Sequence, residues 1–470
     1  MFWILHLVST VLFDHSEPHR DPFFGKEKDI SLIDALSDQL LRSYQRLLNL
    51  FGPSSSSSSS LPLIPRLDLS GNETAEGGSE GLRRFFPSNN TKNQLSYVQI
   101  KYTAASVFAR LLPKIIDFFE TRSQKAFGNG SQRIDTWASS CALFRLLVST
   151  PQGAHKRGKW WIEYGQCLER LKRPNQAIHV YEWALKDPLL GSGERFSVQR
   201  RLKRLCVKPL RWNSPVFPEI RDCRHVTVEG HLLSSRRGHK NEFLGVDGLS
   251  VSVEGFALQV YRFGAKGIAE NRWNGLHTEG GCIYTLFWLL MWDCIFAPIP
   301  HVFHHQFHSA PLDLHSPLFF ETRQNIFEET FERLRSCHVQ DLVLWLARVW
   351  NQNYGVRCQG IDWKRWDLQV ISEIACCIGP IPLASLMSMI AREYKPSRRG
   401  LPDLVLWKAD KSDDLQIVEL SAKFVEVKGP RDKLSDYQRV WIDRLLSSGI
   451  DVEVCHVVQS SRPLSGLLSP

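Results

Sequence analysis

Along residues 424–445, FVEVKGPRDKLSDYQRVWIDRL, the spacing of apolar positions changes from every second residue to every third or fourth. The first part predicts a strand, with Val425 and Val427 on one face and Glu426 and Lys428 on the other. The second predicts an amphipathic helix, entered through a charged turn. Similar short apolar runs, GLPDLVLW before it and VEVCHVV after it, predict two more strands. Helix, Asp-bearing strand, ExK strand, helix and strand is the order that a small mixed sheet flanked by helices requires.

Upstream, from Val98 to Leu205, apolar residues recur three and four apart between Gly, Pro and Ser clusters, which predicts a run of helices. Within it, Trp161, Tyr164, Gly165, Leu168, Ala177, Tyr181, Ala184 and Pro188 fall near the positions of a tetratricopeptide-like hairpin. Small Gly165 and Ala177 would let two helices approach while the aromatic rings fill the gap. RHVTVEGHLL, near residue 225, reads as a β-like crossing stretch. LFWLLMWDCIFAPI, from Leu286, is interrupted by Asp293 and Pro298 and predicts a buried helix rather than a span.

The chain's first thirteen residues, MFWILHLVSTVLF, are mostly apolar and too few to cross a bilayer as a helix. No basic residue precedes them and no small-x-small site follows, so a buried helix is expected rather than a cleaved leader. Serine and glycine tracts mark residues 52–81 as low complexity. The boundaries expected are an N-terminal helical segment at 1–51, a linker at 52–96, a helical domain at 97–210, a connecting segment at 211–270 and an α/β domain at 271–462.

Composition changes this picture little: 470 residues, 43% hydrophobic and 23% charged, suffice for more than one cored domain and exclude a disordered chain. The net charge of +9 favours a polyanionic partner. Eleven cysteines at irregular spacings, without a CxxC pair, suggest reduced thiols inside a cell.

Candidate chemistry gathers around three acids. Glu279 lies among Gly275, Gly280 and Gly281 just before an apolar helix, where an acid also serves as a simple helix cap. Asp403 opens the GLPDLVLW strand, where a turn aspartate after Pro402 would look the same. With Glu426 they could hold a divalent cation such as Mg²⁺ or Mn²⁺, which takes hard oxygen ligands and leaves positions for water and phosphate. Lys428 could stand beside the attacking water and offset charge developing on the phosphorane. Gln438 could hydrogen-bond across the strand ends, or be a surface glutamine. Separately, HVFHHQFH places His301, His304, His305 and His308 on one potential helical stripe, a spacing that transition-metal ligands and exposed histidines share.

GLHTEGG, LFWLLMWDCIF, APLDL, RRGLPDLVLW, FVEVKGPRDKLS, QRVWIDRL and VEVCHVV, in that order, resemble the Fanconi-associated nuclease family, the VRR-NUC branch of the PD-(D/E)xK nucleases. The resemblance runs from about Val98 to Val458. It implies a restriction-endonuclease-like α/β fold, a mixed sheet with flanking helices, preceded by the all-α tetratricopeptide-like domain. It implies a Mg²⁺- or Mn²⁺-dependent phosphodiesterase in the nucleus, with 5′-flap endonuclease and 5′–3′ exonuclease action on branched or 5′-flap duplex DNA, in interstrand-crosslink repair. DNA-repair proteins are expected partners, and no membrane is. Carried over, Glu279, Asp403, Glu426, Lys428 and Gln438 match the catalytic positions, the Val427 carbonyl a further metal ligand, and Trp441 the packing beneath Gln438. Arg157, Lys159, Arg398 and Arg399 are candidates for the family's basic pocket for the DNA 5′-phosphate.

Two departures matter. Asp403 and Glu426 are further apart than the family pattern, because IVEL at 417–420 and FVEV at 424–427 nearly repeat, seven residues apart. Glu419 has the usual spacing but no lysine two residues on; Glu426 has both lysine and the GP turn. The insertion could bulge out or could displace the strand, leaving a catalytically inactive DNA-binding or protein-interaction scaffold. The N-terminal region also lacks the cysteine and histidine spacing of a zinc finger, so ubiquitin binding is not predicted.

Overall fold

A computed structural model describes residues 130–148, 156–208, 214–234, 241–264, 273–316, 318–411 and 417–460, with isolated positions at 109–116 and 153; for residues 130–136, 139, 410, 411 and 417–419 it describes the backbone alone. The expected N-terminal segment at 1–51 and linker at 52–96 lie outside these residues. The chain divides into two compact units, 1–217 and 218–470.

The first unit contains helices α1 (Gly130–Val148), α2 (Arg157–Arg170), α3 (Pro174–Lys186) and α4 (Ser192–Leu205). The hairpin read from the repeat is α2–α3. Pro174 begins α3, where its missing N–H costs nothing. Gly165 is required by contact: a Cβ there would lie 2.2 Å from a Tyr181 ring carbon. Tyr181 cannot retreat, because it is wholly buried and its hydroxyl donates to Glu169 at 2.7 Å. Trp160, Trp161, Tyr164, Leu168, Ala177 and Ala184 complete one core with α1 and α4.

In the second unit, β1 (Arg224–Gly230), β8 (Asp451–Gln459), β7 (Ile417–Lys428), β6 (Leu404–Lys411) and β5 (Asn274–His277) form a five-stranded sheet in that spatial order. Short β2 (Leu232–Ser234), β3 (Glu242–Leu244) and β4 (Ser250–Ser252) form a second sheet. Strands β7 and β8 are parallel, so a crossover must join them, and α14 (Asp436–Ser447) supplies it. Alternation then sorts the side chains between two cores. Leu404, Leu406, Val425 and Val427 pack beneath α5 (Val253–Phe263) with Phe256, Ala257 and Val260. Val405, Trp407, Phe424, Val452 and Val454 face the larger helical core on the opposite side.

Apart from α14, that core's helices are an insertion between β5 and β6, comprising α6 (Gly281–Leu290), α7 (Trp292–Ile295), α8 (Leu318–Glu321), α9 (Gln324–Arg335), α10 (Val339–Asn353), α11 (Leu368–Ile378), α12 (Pro380–Arg392) and α13 (Tyr394–Ser397). The LFWLLMW run is buried in α6 as its composition predicts. The APLDL motif has a structural role here. Asp313 accepts from both terminal nitrogens of buried Arg323, at 2.7 and 3.1 Å, closing the connection between α7 and α8.

Two expectations change. Residues 211–270 are no mere connector, because they supply edge strand β1, the second sheet and α5, all within the second unit. The histidine tract is a run of turns and bends over 301–310 rather than a helix, so its histidines do not form a helical stripe. Non-glycine His301 there has a positive φ of 66°, which a helix excludes.

Candidate active site

The seven-residue near-repeat leaves the site in register. Strands β6 and β7 pair antiparallel from Leu404 opposite Val425 to Asp410 opposite Glu419, so IVEL and FVEV are two halves of one twelve-residue strand. The insertion lengthens the hairpin at its far end. Asp403 is thereby set beside Glu426, and its Oδ2 accepts the Val427 amide at 2.8 Å. That bond ties the carboxylate to the neighbouring strand, so Asp403 is more than a turn residue.

Glu279 arrives from the other side. The amides of Thr278 and Glu279 both donate to the Asp403 carbonyl, at 3.1 and 3.3 Å. Glu279 holds a left-handed backbone, φ 46°, which costs a non-glycine residue about 1–2 kcal/mol. Gly280, also left-handed, then starts α6, and its added Cβ would strike Leu401 at 2.6 Å. The Glu279 side chain turns outward. It is 76% exposed, with its Oε1 3.9 Å from His277 Nε2, and stands at the mouth of the site rather than inside it.

Glu426 is the buried acid, 1% exposed. Its Oε1 lies 2.7 Å from Lys428 Nζ and accepts from Gln438 Nε2; its Oε2 is buried without a hydrogen-bond partner. Burial, then the neighbouring Asp403 carboxylate, push Glu426 up to about 8, against the downward pull of Lys428. Burial also raises Asp403, opposed by the Val427 amide and by Lys428. Two adjacent acids that resist ionisation, one with a bare buried oxygen, are what a divalent cation would relieve.

Lys428 is directed inward, 8% exposed, and donates to Gln438 Oε1 at 3.2 Å. Gln438 is fixed by the start of α14. Ser435 Oγ accepts the Gln438 amide at 3.3 Å while Gln438 Oε1 accepts the Ser435 amide at 2.8 Å, a reciprocal capping box. Trp441, a turn further on, is buried with its indole N–H donating to the Ser397 carbonyl.

One acid was not legible. Glu254 repels the ionised forms of both Asp403 and Glu426. It lies in the first turn of α5, which Ser252 caps by accepting the Gly255 amide at 3.1 Å. The next residue back, Val253, would be 3.5 Å from a Cβ on Gly429, just beyond Lys428. In sequence, SVEG reads only as a cap followed by an acid suited to the helix dipole.

The basic candidates divide. Arg398 and Arg399 are exposed just before the Asp403 strand, their guanidinium carbons 5.4 and 5.8 Å from the Tyr284 and Tyr437 rings. Lys159 is exposed beside Glu163 at 3.3 Å. Arg157 is 4% exposed, and its Nε donates to Asp187, which also accepts from Trp161. This buried pair braces the α2–α3 hairpin, and the expectation that Arg157 offers its charge to a phosphate is corrected accordingly.

A mixed sheet with an aspartate entering one strand, ExK on the next and a glutamine-capped crossover helix is a restriction-endonuclease-like nuclease fold, and the VRR-NUC domain matches residues 339–459. Within that class the chain is similar over most of its length to members of the Fanconi-associated nuclease family. It is 34% identical over 364 residues to the Fanconi-associated nuclease 1 homolog of Oryza sativa subsp. japonica, covering 77% of this chain and 35% of the relative. It is 33% identical over 374 residues to Fanconi-associated nuclease 1 of Homo sapiens, covering 76% and 34%. The chain thus spans about a third of the length of these relatives. Two crystal structures of paFAN1 share the fold: bound to 1-nucleotide 5′-flap DNA with a gap (TM-score 0.59, 19% identity, 97% of this chain and 82% of that one), and bound to the 2-nucleotide flap (0.55, 21%, 76% and 63%).

Proposed function

We propose that this chain is a metal-dependent DNA nuclease that cuts branched and 5′-flap duplexes, acting in the nucleus in interstrand-crosslink repair. The observation that carries the reading is the Asp403–Glu426–Lys428–Gln438 constellation held in register on β6, β7 and α14. The flap DNA of the paFAN1 structures supports the substrate class.

The donor set fits a hard cation. Asp403 and Glu426, the latter with its unpartnered Oε2, the Val427 carbonyl and Glu279 at the mouth are oxygen donors suited to Mg²⁺ or Mn²⁺; Glu254 is a further acid within electrostatic reach. When bound, such a cation supplies positive charge to the scissile phosphate and its attacking water. Lys428 then orients that water and offsets the charge developing on phosphorus. Gln438 positions Lys428 and Glu426 against each other. Lys159, Arg398 and Arg399 are the proposed phosphate contacts.

The test is cleavage of an end-labelled 5′-flap duplex in Mn²⁺, in Mg²⁺ and in EDTA, repeated with Asp403→Ala. Cleavage that needs the cation and is lost in the variant is expected. Binding without cleavage under every condition would establish the scaffold instead.

A further inference from the structure

The segment between α10 and α11 carries WKRW, residues 363–366, between two aspartates that fix its backbone. Asp362 accepts the Lys364 amide on its side chain and the Arg365 amide on its carbonyl, both at 3.1 Å. Asp367 caps α11, accepting the Gln369 and Val370 amides at 2.7 and 3.4 Å. The two tryptophans differ. Trp363 is fully engaged: its indole N–H donates to the Val356 carbonyl at 2.7 Å and its ring meets Trp350 edge-on at 5.0 Å. Trp366 is half-buried, and its indole N–H has no hydrogen-bond partner among the described residues.

Trp366 lies at the mouth of the proposed nuclease site. Gly281, the first residue of α6 and two beyond Glu279, faces it: a Cβ on Gly281 would be 3.3 Å from Trp366 Cζ2 and 3.9 Å from Arg365 Nη1. The Arg365 guanidinium carbon stands 4.9 Å from the Trp366 ring centre. Arg365 is exposed, and no acid pairs with its side chain among the described residues. One turn along the same face of α6, Tyr284 carries Arg398 over its ring at 5.4 Å. A cation-backed aromatic surface thus adjoins a basic residue already proposed as a phosphate contact.

We propose that Arg365 and Trp366 form a stacking platform for an unpaired nucleobase, the flap nucleotide next to the cut, so that the site tells flapped DNA from plain duplex. The inference rests on the flap-nuclease reading and gives it a specificity contact. Stacking is the chemistry these residues offer. A guanidinium plane and an indole face accept any base, whereas a base inside a duplex has both faces already stacked. Bulk charge is not what they offer: Asp362 and Asp367 offset Lys364 and Arg365, so the segment has no net charge with which to draw in duplex phosphates. A base held on such a platform gains roughly five- to hundredfold in affinity.

In EDTA, which withholds the cation, the full chain is titrated into a 5′-flap duplex whose single unpaired nucleotide is 2-aminopurine, and into a nicked duplex of the same length without a flap. Emission of 2-aminopurine falls when the base stacks. Binding is expected to quench it in the unaltered protein, with Arg365→Ala and Trp366→Leu abolishing the quench and Trp366→Phe retaining it. The preference for flapped over nicked DNA should fall roughly tenfold in the first two variants. Circular dichroism confirms that each variant folds, and Arg365→Ala, at an exposed position, decides if a tryptophan variant does not. No quenching by the unaltered protein, quenching that survives Arg365→Ala and Trp366→Leu, or an equal loss of affinity for both DNAs overturns the platform. Cleavage is read separately on adding Mn²⁺: a protein that quenches without cutting refutes the nuclease reading alone, and one that cuts without quenching refutes only the platform.

Discussion

Replacing Glu426 by Gln should stabilise the metal-free protein, and increasingly so as pH rises. A pKa moved from 4.5 to about 8 in the fold means that the folded state holds a proton that the unfolded state has released between those values. Stability from this group is therefore full below pH 4.5 and is lost as pH climbs toward 8. Each pH step costs about 1.4 kcal/mol, with a ceiling of roughly 5 kcal/mol, shared in practice with Asp403. A glutamine side chain has no such proton to lose. Between pH 6 and pH 8 the variant should gain about 2–3 kcal/mol on the native protein, a melting-temperature gap widening by roughly 5–10 °C for a unit of this size. Differential scanning fluorimetry in EDTA across that range measures it. Adding Mn²⁺ should narrow the gap by raising the melting point of the native protein alone. A gap that stays constant with pH, or shrinks toward pH 8, would refute the account of Glu426 as a destabilised buried acid.

Excising residues 410–419 and closing Ala409 to Leu420 with Asn-Gly should leave flap cleavage intact, because Asp403 and Glu426 keep their register; loss of cleavage in a folded protein would show that the extension matters. Asp313→Ala strands Arg323 in the core and should lower stability by about 3–5 kcal/mol in chemical denaturation. Gly165→Ala forces a methyl into Tyr181 and should cost about 1–3 kcal/mol, read as a lower melting temperature of the first unit. Gln438→Ala should reduce kcat for cleavage roughly 10–100-fold with little change in DNA affinity.

The sequence carried the strand–helix–strand core because its periods are short-range. Val425 and Val427 against Glu426 and Lys428 reveal their faces without knowledge of any partner. The same local logic found the α2–α3 hairpin through Gly165 and Tyr181. What depended on pairing was less accessible. Nothing in the RHVTVEG run says that it lies parallel to β8 more than two hundred residues later, so residues 211–270 looked like a connector. Glu254 was hidden for the same reason, since its nearness to Asp403 comes from α5 packing across the sheet. Arg157 failed differently. A basic residue beside Lys159 looks solvated until Asp187, thirty residues on, is seen beneath it.

Gln438 shows why the site and the fold cannot be separated. Its Oε1 accepts from both the Ser435 amide and the Lys428 ammonium, which obliges Nε2 to face Glu426. The capping box thus orients the amide, and the amide fixes how the ammonium and the buried carboxylate meet. A cap elsewhere contributes about 1 kcal/mol of helix stability. Here the same bonds also set the rotamer of a residue one turn from Trp441, itself held by the Ser397 carbonyl ahead of Arg398, Arg399 and Asp403. Helix α14 therefore couples the ExK strand to the aspartate strand from above. Any change that frays its first turn loosens the geometry of the acids before it unfolds the sheet.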